Sequence, residues 1–205
     1  MTISGHFPAA ASRPIRHVFL DLVYVKSTLE AAGHADLASV VAAKLTELQA
    51  ELPDYDQAEE REVIAEAKVA GRDATLDQLY RSCAAHVREH HPSEFGRLFP
   101  KPPSRIADAS HAEELAAVRT LTKDLEGLAA GEPLRDQFFA KLTSAANELE
   151  RALAEQTQTL ARFEGERAAM DTLRASVDTL RQKTHAALLE RVTDKKLADA
   201  FFRSA

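Results

Sequence analysis

Five residues with side chains able to do chemistry crowd into one short stretch of the sequence: Cys83, His86, Glu89, His90 and His91. Cys83, His86 and His90 stand at i, i+3 and i+7, a spacing that places three side chains on one helix face. A thiolate and two imidazoles arranged this way could hold a borderline-soft metal ion. A thiolate beside an imidazole could also serve as a nucleophile. The same residues have a plainer use. Leu76, Leu79, Tyr80, Cys83 and Val87 form an apolar stripe at helical spacing, in which Cys83 is a small core residue. Histidines at a helix C-terminus are favoured by the macrodipole. No catalytic residue, cofactor or metal ligand is therefore assigned; Cys83, His86 and His90 are the residues a metal would use.

Other chemistries lack their parts. His86-Val87-Arg88-Glu89-His90 fits the H-x-x-E-H pattern of one peptidase class, but three fixed residues are a weak signal and nothing else supports it. Di-iron bundles need Glu-x-x-His pairs on facing helices, and none of the eight histidines has a glutamate three residues before it. Asp108-x-x-His111 comes nearest, where Asp108 or Ser110 reads better as a helix cap. There is no phosphate-binding glycine loop and no G-x-S-x-G elbow. Glu59, Glu60, Glu62 and Glu66 read as a solvated helix start. Arg167, Arg174 and Arg181 could suggest a basic track, but each has an acidic neighbour three residues before it. They read as the solvated flank of a helix seam.

The elements that carry these residues are helices. The composition is dominated by strong helix formers, with only 7 Gly and 8 Pro. A first helix opens at Pro14 and its pattern continues to about Leu52, with Gly33 as a kink or short break; Leu37, Val41, Leu45, Leu48 and Leu52 share one face. Val18 to Val25 is rich in β-formers but has no second strand to pair with, and is read as helix. Pro53-Asp54 is expected to turn the chain into a second helix, which Pro92 stops. A third runs from about Ile106 to Ala130, and Gly131-Glu132-Pro133 turns into a fourth region, Leu134 to about Val192. That region carries a heptad between Phe163 and Leu188. One seam reads Phe163, Met170, Val177, Thr184, the other Glu166, Leu173, Leu180, Ala187, with acidic and basic residues alongside, as in coiled-coil packing. The helix is either continuous or split at Gly165. A short helix from about Asp194 to Phe202 ends the chain. Phe95, Leu98, Phe99, Phe138, Phe139, Phe201 and Phe202 are expected to plug bundle ends.

The predicted fold is all-α: an elongated antiparallel bundle of four main helices in two hairpins with coiled-coil-like packing. Residues 1–13 form a tail, 14–91 a first hairpin, 92–105 a proline-rich linker, and 106–205 a second hairpin that packs on the first as one domain. Local likenesses between residues 34–48 and 111–125 leave an internal duplication open.

The net charge of −6 speaks against nucleic acid and anionic membrane surfaces, both of which select for excess Lys and Arg. One cysteine allows no intrachain disulfide and suits a reducing compartment. Met1 to Pro14 shows no secretion leader, and no apolar run is long enough to span a bilayer. A cytoplasmic protein is expected. Its function is expected to be non-enzymatic, a scaffold or interaction protein whose heptad surface binds a protein partner or a second copy. The alternative is a metal- or small-ligand-binding bundle using Cys83, His86 and His90. A third reading is a helical protein that acts on membranes by rearranging.

Overall fold

The structure is a computed structural model that describes residues 14–202; the tail expected over 1–13 lies outside the described residues. The chain is all-α. Its elements are α1 (Ile15–Ala31), α2 (Ala35–His90), α3 (Phe95–Leu98), α4 (Pro103–Ala107), α5 (His111–Glu126), α6 (Pro133–Val192) and α7 (Lys195–Ala200). The β-forming run Val18 to Val25 lies within α1, with Val18, Leu22, Val25 and Leu29 buried along one face. Gly33 ends that helix. Its φ of +80° places it in the left-handed region, and two hydrogen bonds close the end: Gly33 N–H to Glu30 C=O at 3.1 Å and His34 N–H to Leu29 C=O at 2.9 Å. This is a Schellman stop, which glycine adopts without a Cβ penalty. Ser110 starts α5, its hydroxyl accepting from the Glu113 N–H.

The described helices belong to two compact units. Of the described residues, unit 1 takes 14–59 and 162–202, and unit 2 takes 60–161. These do not coincide with the expected hairpins at 14–91 and 106–205. The physical reason is that α2 and α6 run unbroken through the places where a division would otherwise fall, so each contributes to both units. Residues 92–105, expected as a proline-rich linker, lie within unit 2 and hold α3 and the start of α4.

In unit 1, α2 and α6 run antiparallel. Arg191 makes a two-pronged bond to Asp36 at 2.8 and 2.6 Å, and further along α2 Tyr55 meets Phe163, nearer the middle of α6, at 5.7 Å. The heptad seam of α6 is consumed inside this unit. Met170, Val177 and Leu188 join Val18, Leu22, Leu29, Val41 and Leu48 in one core, with Leu173 and Leu180 packed against it. Phe201 and Phe202 are buried there as well, held by Thr28, whose hydroxyl donates to the Phe201 carbonyl at 3.1 Å. The basic flank departs from expectation: Arg167 is exposed, but Arg174 is half-buried and Arg181 is buried among its neighbours. Enclosure by the surrounding helices takes that side of α6 away from solvent.

In unit 2 the pairs Arg72–Glu148 and Lys68–Glu155, each at 2.6 Å, again set α2 and α6 antiparallel. Asp73 meets His111 and, a turn further along both helices, Asp77 meets Glu114, so α5 runs in the same direction as α2. The core combines Leu76, Tyr80, Cys83 and Val87 of α2 with Leu98, Phe99, Ile106, Val118, Leu121, Leu125, Phe138, Leu142 and Leu149.

One alternative left open by the sequence is resolved, and one expected turn is overturned. Gly165 lies within a continuous α6. Pro53 lies inside α2, where it was expected to make a turn. Proline in a helix interior removes one N–H and crowds the carbonyl four residues back, at a cost of ~3 kcal/mol. The affected groups, Gln49 and Pro53, are exposed, so water can satisfy the freed carbonyl. Leu48, Leu52, Tyr55 and Ala58 bury or half-bury apolar surface on both sides of it, which holds the helix through the defect. Pro53→Ala is therefore expected to stabilise the protein by about 1–2 kcal/mol, after allowing for the freer unfolded chain. Denaturant melts monitored by circular dichroism measure this, and a loss of stability would speak against a continuous α2.

Candidate functional site

The C-terminal turns of α2 divide the sequence candidates between core and surface. Cys83 is fully buried in the unit 2 core, and burial pushes its thiol up to about 12, so it carries no thiolate at neutral pH. His86 is half-buried, His90 exposed and His91 half-buried. Their rings gather around His86, at 4.5 Å to His90 and 6.2 Å to His91, and the His86 ring also meets Phe138 at 5.4 Å. Burial, followed by His90 and His91, lowers the basicity of His86, which keeps its imidazole neutral at pH 7. Glu89 is exposed. The structure thus brings His86 and His90 together and takes Cys83 into the core. Among the described residues no group of three or more His, Cys, Asp or Glu side chains is placed to hold one metal ion.

A second constellation, absent from the sequence reading, lies between α2 and α5. Asp73 and Asp77 come from α2, and His111 and Glu114 from the first turn of α5. Glu114 is 2 % exposed, and its Oε1 has no hydrogen-bond partner. Asp73 faces His111 at 3.4 Å, and Asp77 faces Arg81 at 3.3 Å. Burial raises Glu114 to about 8, and hydrogen bonding and charge from Asp73 and Asp77 push in the same direction. Burial also raises Asp77, offset by Arg81. At neutral pH Glu114 is therefore mostly a protonated acid that donates into the Asp73/Asp77 pair, since three carboxylates cannot all ionise so close together. The signal for this residue was present: Glu114, Val118, Leu121 and Leu125 are spaced as one helical seam, which places an acid at a core position.

A near-neutral acid is what general acid–base chemistry needs. Here Glu114 is buried in the α2–α5 interface, and Asp77 beside it borders a surface depression together with Ala74 and Arg81. The arrangement couples the packing of α5 on α2 to the proton that Glu114 holds.

No protein family, curated protein or solved structure matches the chain significantly.

Two outcomes follow. A thiol reagent such as DTNB should label Cys83 on the order of a hundredfold more slowly in native protein than in denaturant; rapid native labelling would place the thiol at the surface. For Glu114 the folded chain binds its proton more tightly than the unfolded chain does. Stability is then greatest below the ordinary glutamate range and declines as pH rises through about 8. The groups facing this carboxyl are Asp73 and Asp77, which in turn face His111 (Asp73) and Arg81 and Asp108 (Asp77). Glu114→Gln keeps a donor without the charge, so it should melt above the parent at about pH 9 and close to it at about pH 4. An equal difference at both pH values would show that Glu114 is not titrating.

Proposed function

We propose that this chain is a non-enzymatic helical-bundle protein that works through contacts with another protein or a second copy of itself. The heptad of α6 is used up within unit 1, so the contact surface on this reading is a different one. The observation that supports it is an apolar group in unit 2: Val63 at 55 %, Ile64 at 47 % and Leu160 at 43 % exposure. The Lys68–Glu155 pair sets the local register; Ile64 lies one turn before Lys68 and Leu160 about a turn and a half beyond Glu155, so both lie toward the same end of unit 2. Val63 and Ile64 precede Asp73 by two turns or more, and Asp73 is where His111 marks the start of α5, so α5 does not cover them. Charged Glu60, Arg61, Glu62 and Glu66 surround them in sequence, giving an apolar centre with a polar rim, the make-up of a protein contact surface.

A cytoplasmic setting goes with this reading, since the lone cysteine needs no oxidising compartment. Among the described residues no helix is long and apolar enough to cross a membrane. The reading in which Cys83, His86 and His90 hold a ligand loses support from the burial of Cys83.

Native mass spectrometry of the protein isolated from its own cells is the test. A defined assembly is expected, with a partner or a second copy. The triple variant Val63→Glu, Ile64→Glu, Leu160→Glu should dissociate it while leaving helix content unchanged. A parent protein that is monomeric and partnerless at cellular concentration would overturn the proposal.

A further inference from the structure

In unit 2, the last two turns of α2 set two imidazoles side by side. His86 and His90 stand four residues apart, the spacing at which side chains on a helix meet. Their ring centroids lie 4.5 Å apart. An ion bonded to a ring nitrogen at about 2.0–2.1 Å lies roughly 3.2 Å from that ring's centroid, so two imidazoles at adjacent positions around one ion have centroids about 4.5–5 Å apart. One ring of the pair and the backbone of the other are fixed. His86 is half-buried, and its ring packs on Phe138 at 5.4 Å. Helical bonding continues past His90, with the His91 N–H donating to the Val87 carbonyl at 2.8 Å. The His90 side chain is exposed, which leaves the pair open to solvent.

The charge around the pair favours a cation. The Glu89 carboxylate lies 3.9 Å from His90 Nε2, while the guanidinium of Arg88 sits over the Phe95 ring at 4.6 Å. Imidazole nitrogen suits late first-row metals such as Cu²⁺, Ni²⁺ and Zn²⁺, whereas Mg²⁺ and Ca²⁺ take oxygen ligands. We propose that His86 and His90 form a two-imidazole binding site for a divalent ion of the late first-row metals. No third His, Cys, Asp or Glu side chain among the described residues is placed to join them, so water takes the remaining positions. Cys83, buried in the core, takes no part. The site shares no residue with the contact surface proposed above, so each proposal can fail without the other.

Zn²⁺ is the probe, titrated by calorimetry into the full chain, with Mg²⁺ as the comparison. Saturable binding of one Zn²⁺ per chain is expected, undisturbed by excess Mg²⁺. His90→Gln, at an exposed position, and independently His86→Gln should each weaken it on the order of a hundredfold, the advantage of two linked ligands over one. The double variant should bind no more weakly than either single one, and His91→Gln should bind as the parent does. The two imidazoles converge only while α2 is helical, so Zn²⁺ should raise the melting temperature of the parent and leave that of His90→Gln unchanged. Circular dichroism checks that each variant folds. Absence of saturable binding to the parent, or binding that survives the double variant, would overturn the site. A loss in His91→Gln as large as that in His90→Gln would overturn the assignment of two ligands, and Mg²⁺ binding equal to that of Zn²⁺ would overturn the class of metal.

Discussion

An amphipathic helix is stable in water only if something covers its apolar stripe, and most of this chain's architecture is a response to that constraint. α2 and α6 are 56 and 60 residues long, far beyond the ~11–12 residues of an average helix. In unit 1 the covering element is α1, whose Val18, Leu22, Val25 and Leu29 face the seam of α6. In unit 2 it is α5, with Val118, Leu121 and Leu125. The size of the buried residues follows the cover. At the start of unit 2 α2 buries only Ala65 and Val69; once α5 lies alongside, it buries Leu76, Tyr80 and Val87.

Each unit also places an acid where an apolar residue would pack. Asp21 in unit 1 stands between Val18, Leu22 and Val25, and Glu114 in unit 2 stands one residue before Leu115 on the seam of α5. Burying a carboxylate is costly unless it is paired or neutralised. Glu114 meets that cost by keeping its proton, within reach of Asp73 and Asp77. Such a group stabilises less than a leucine would, and only one helix register sets it beside both aspartates, since a shift by one turn would leave it level with at most one of them.

Much of the fold was legible from the sequence. The helical class, the stop at Gly33, the Ser110 cap and the inward faces of α1 and α6 all follow from local rules about spacing, glycine and capping. What was not legible depends on cover from elsewhere in the chain. Pro53 reads as a turn because its intrinsic helix penalty is large, and only packing by Leu48, Leu52, Tyr55 and Ala58 holds the helix through it. Arg181 reads as a solvated flank because heptads are read two helices at a time, whereas here further helices close over it. The Cys83/His86/His90 grouping was correct in spacing, but which side of α2 meets the core was decided by α5 and α6. Glu114 could have been found by extending the seam Val118, Leu121, Leu125 back by one step.

The protonated Glu114 has a consequence outside the helix interface. The formal charge of −6 counts that residue as a carboxylate, so near neutral pH the folded chain carries close to one negative charge fewer than the unfolded one. Folding is then a proton-binding reaction: the chain takes a proton from the buffer as α5 settles on α2 and returns it on melting. The heat of unfolding measured near neutral pH must accordingly contain the ionisation heat of whatever buffer accepts that proton, and two buffers at one pH would report different enthalpies for the same transition.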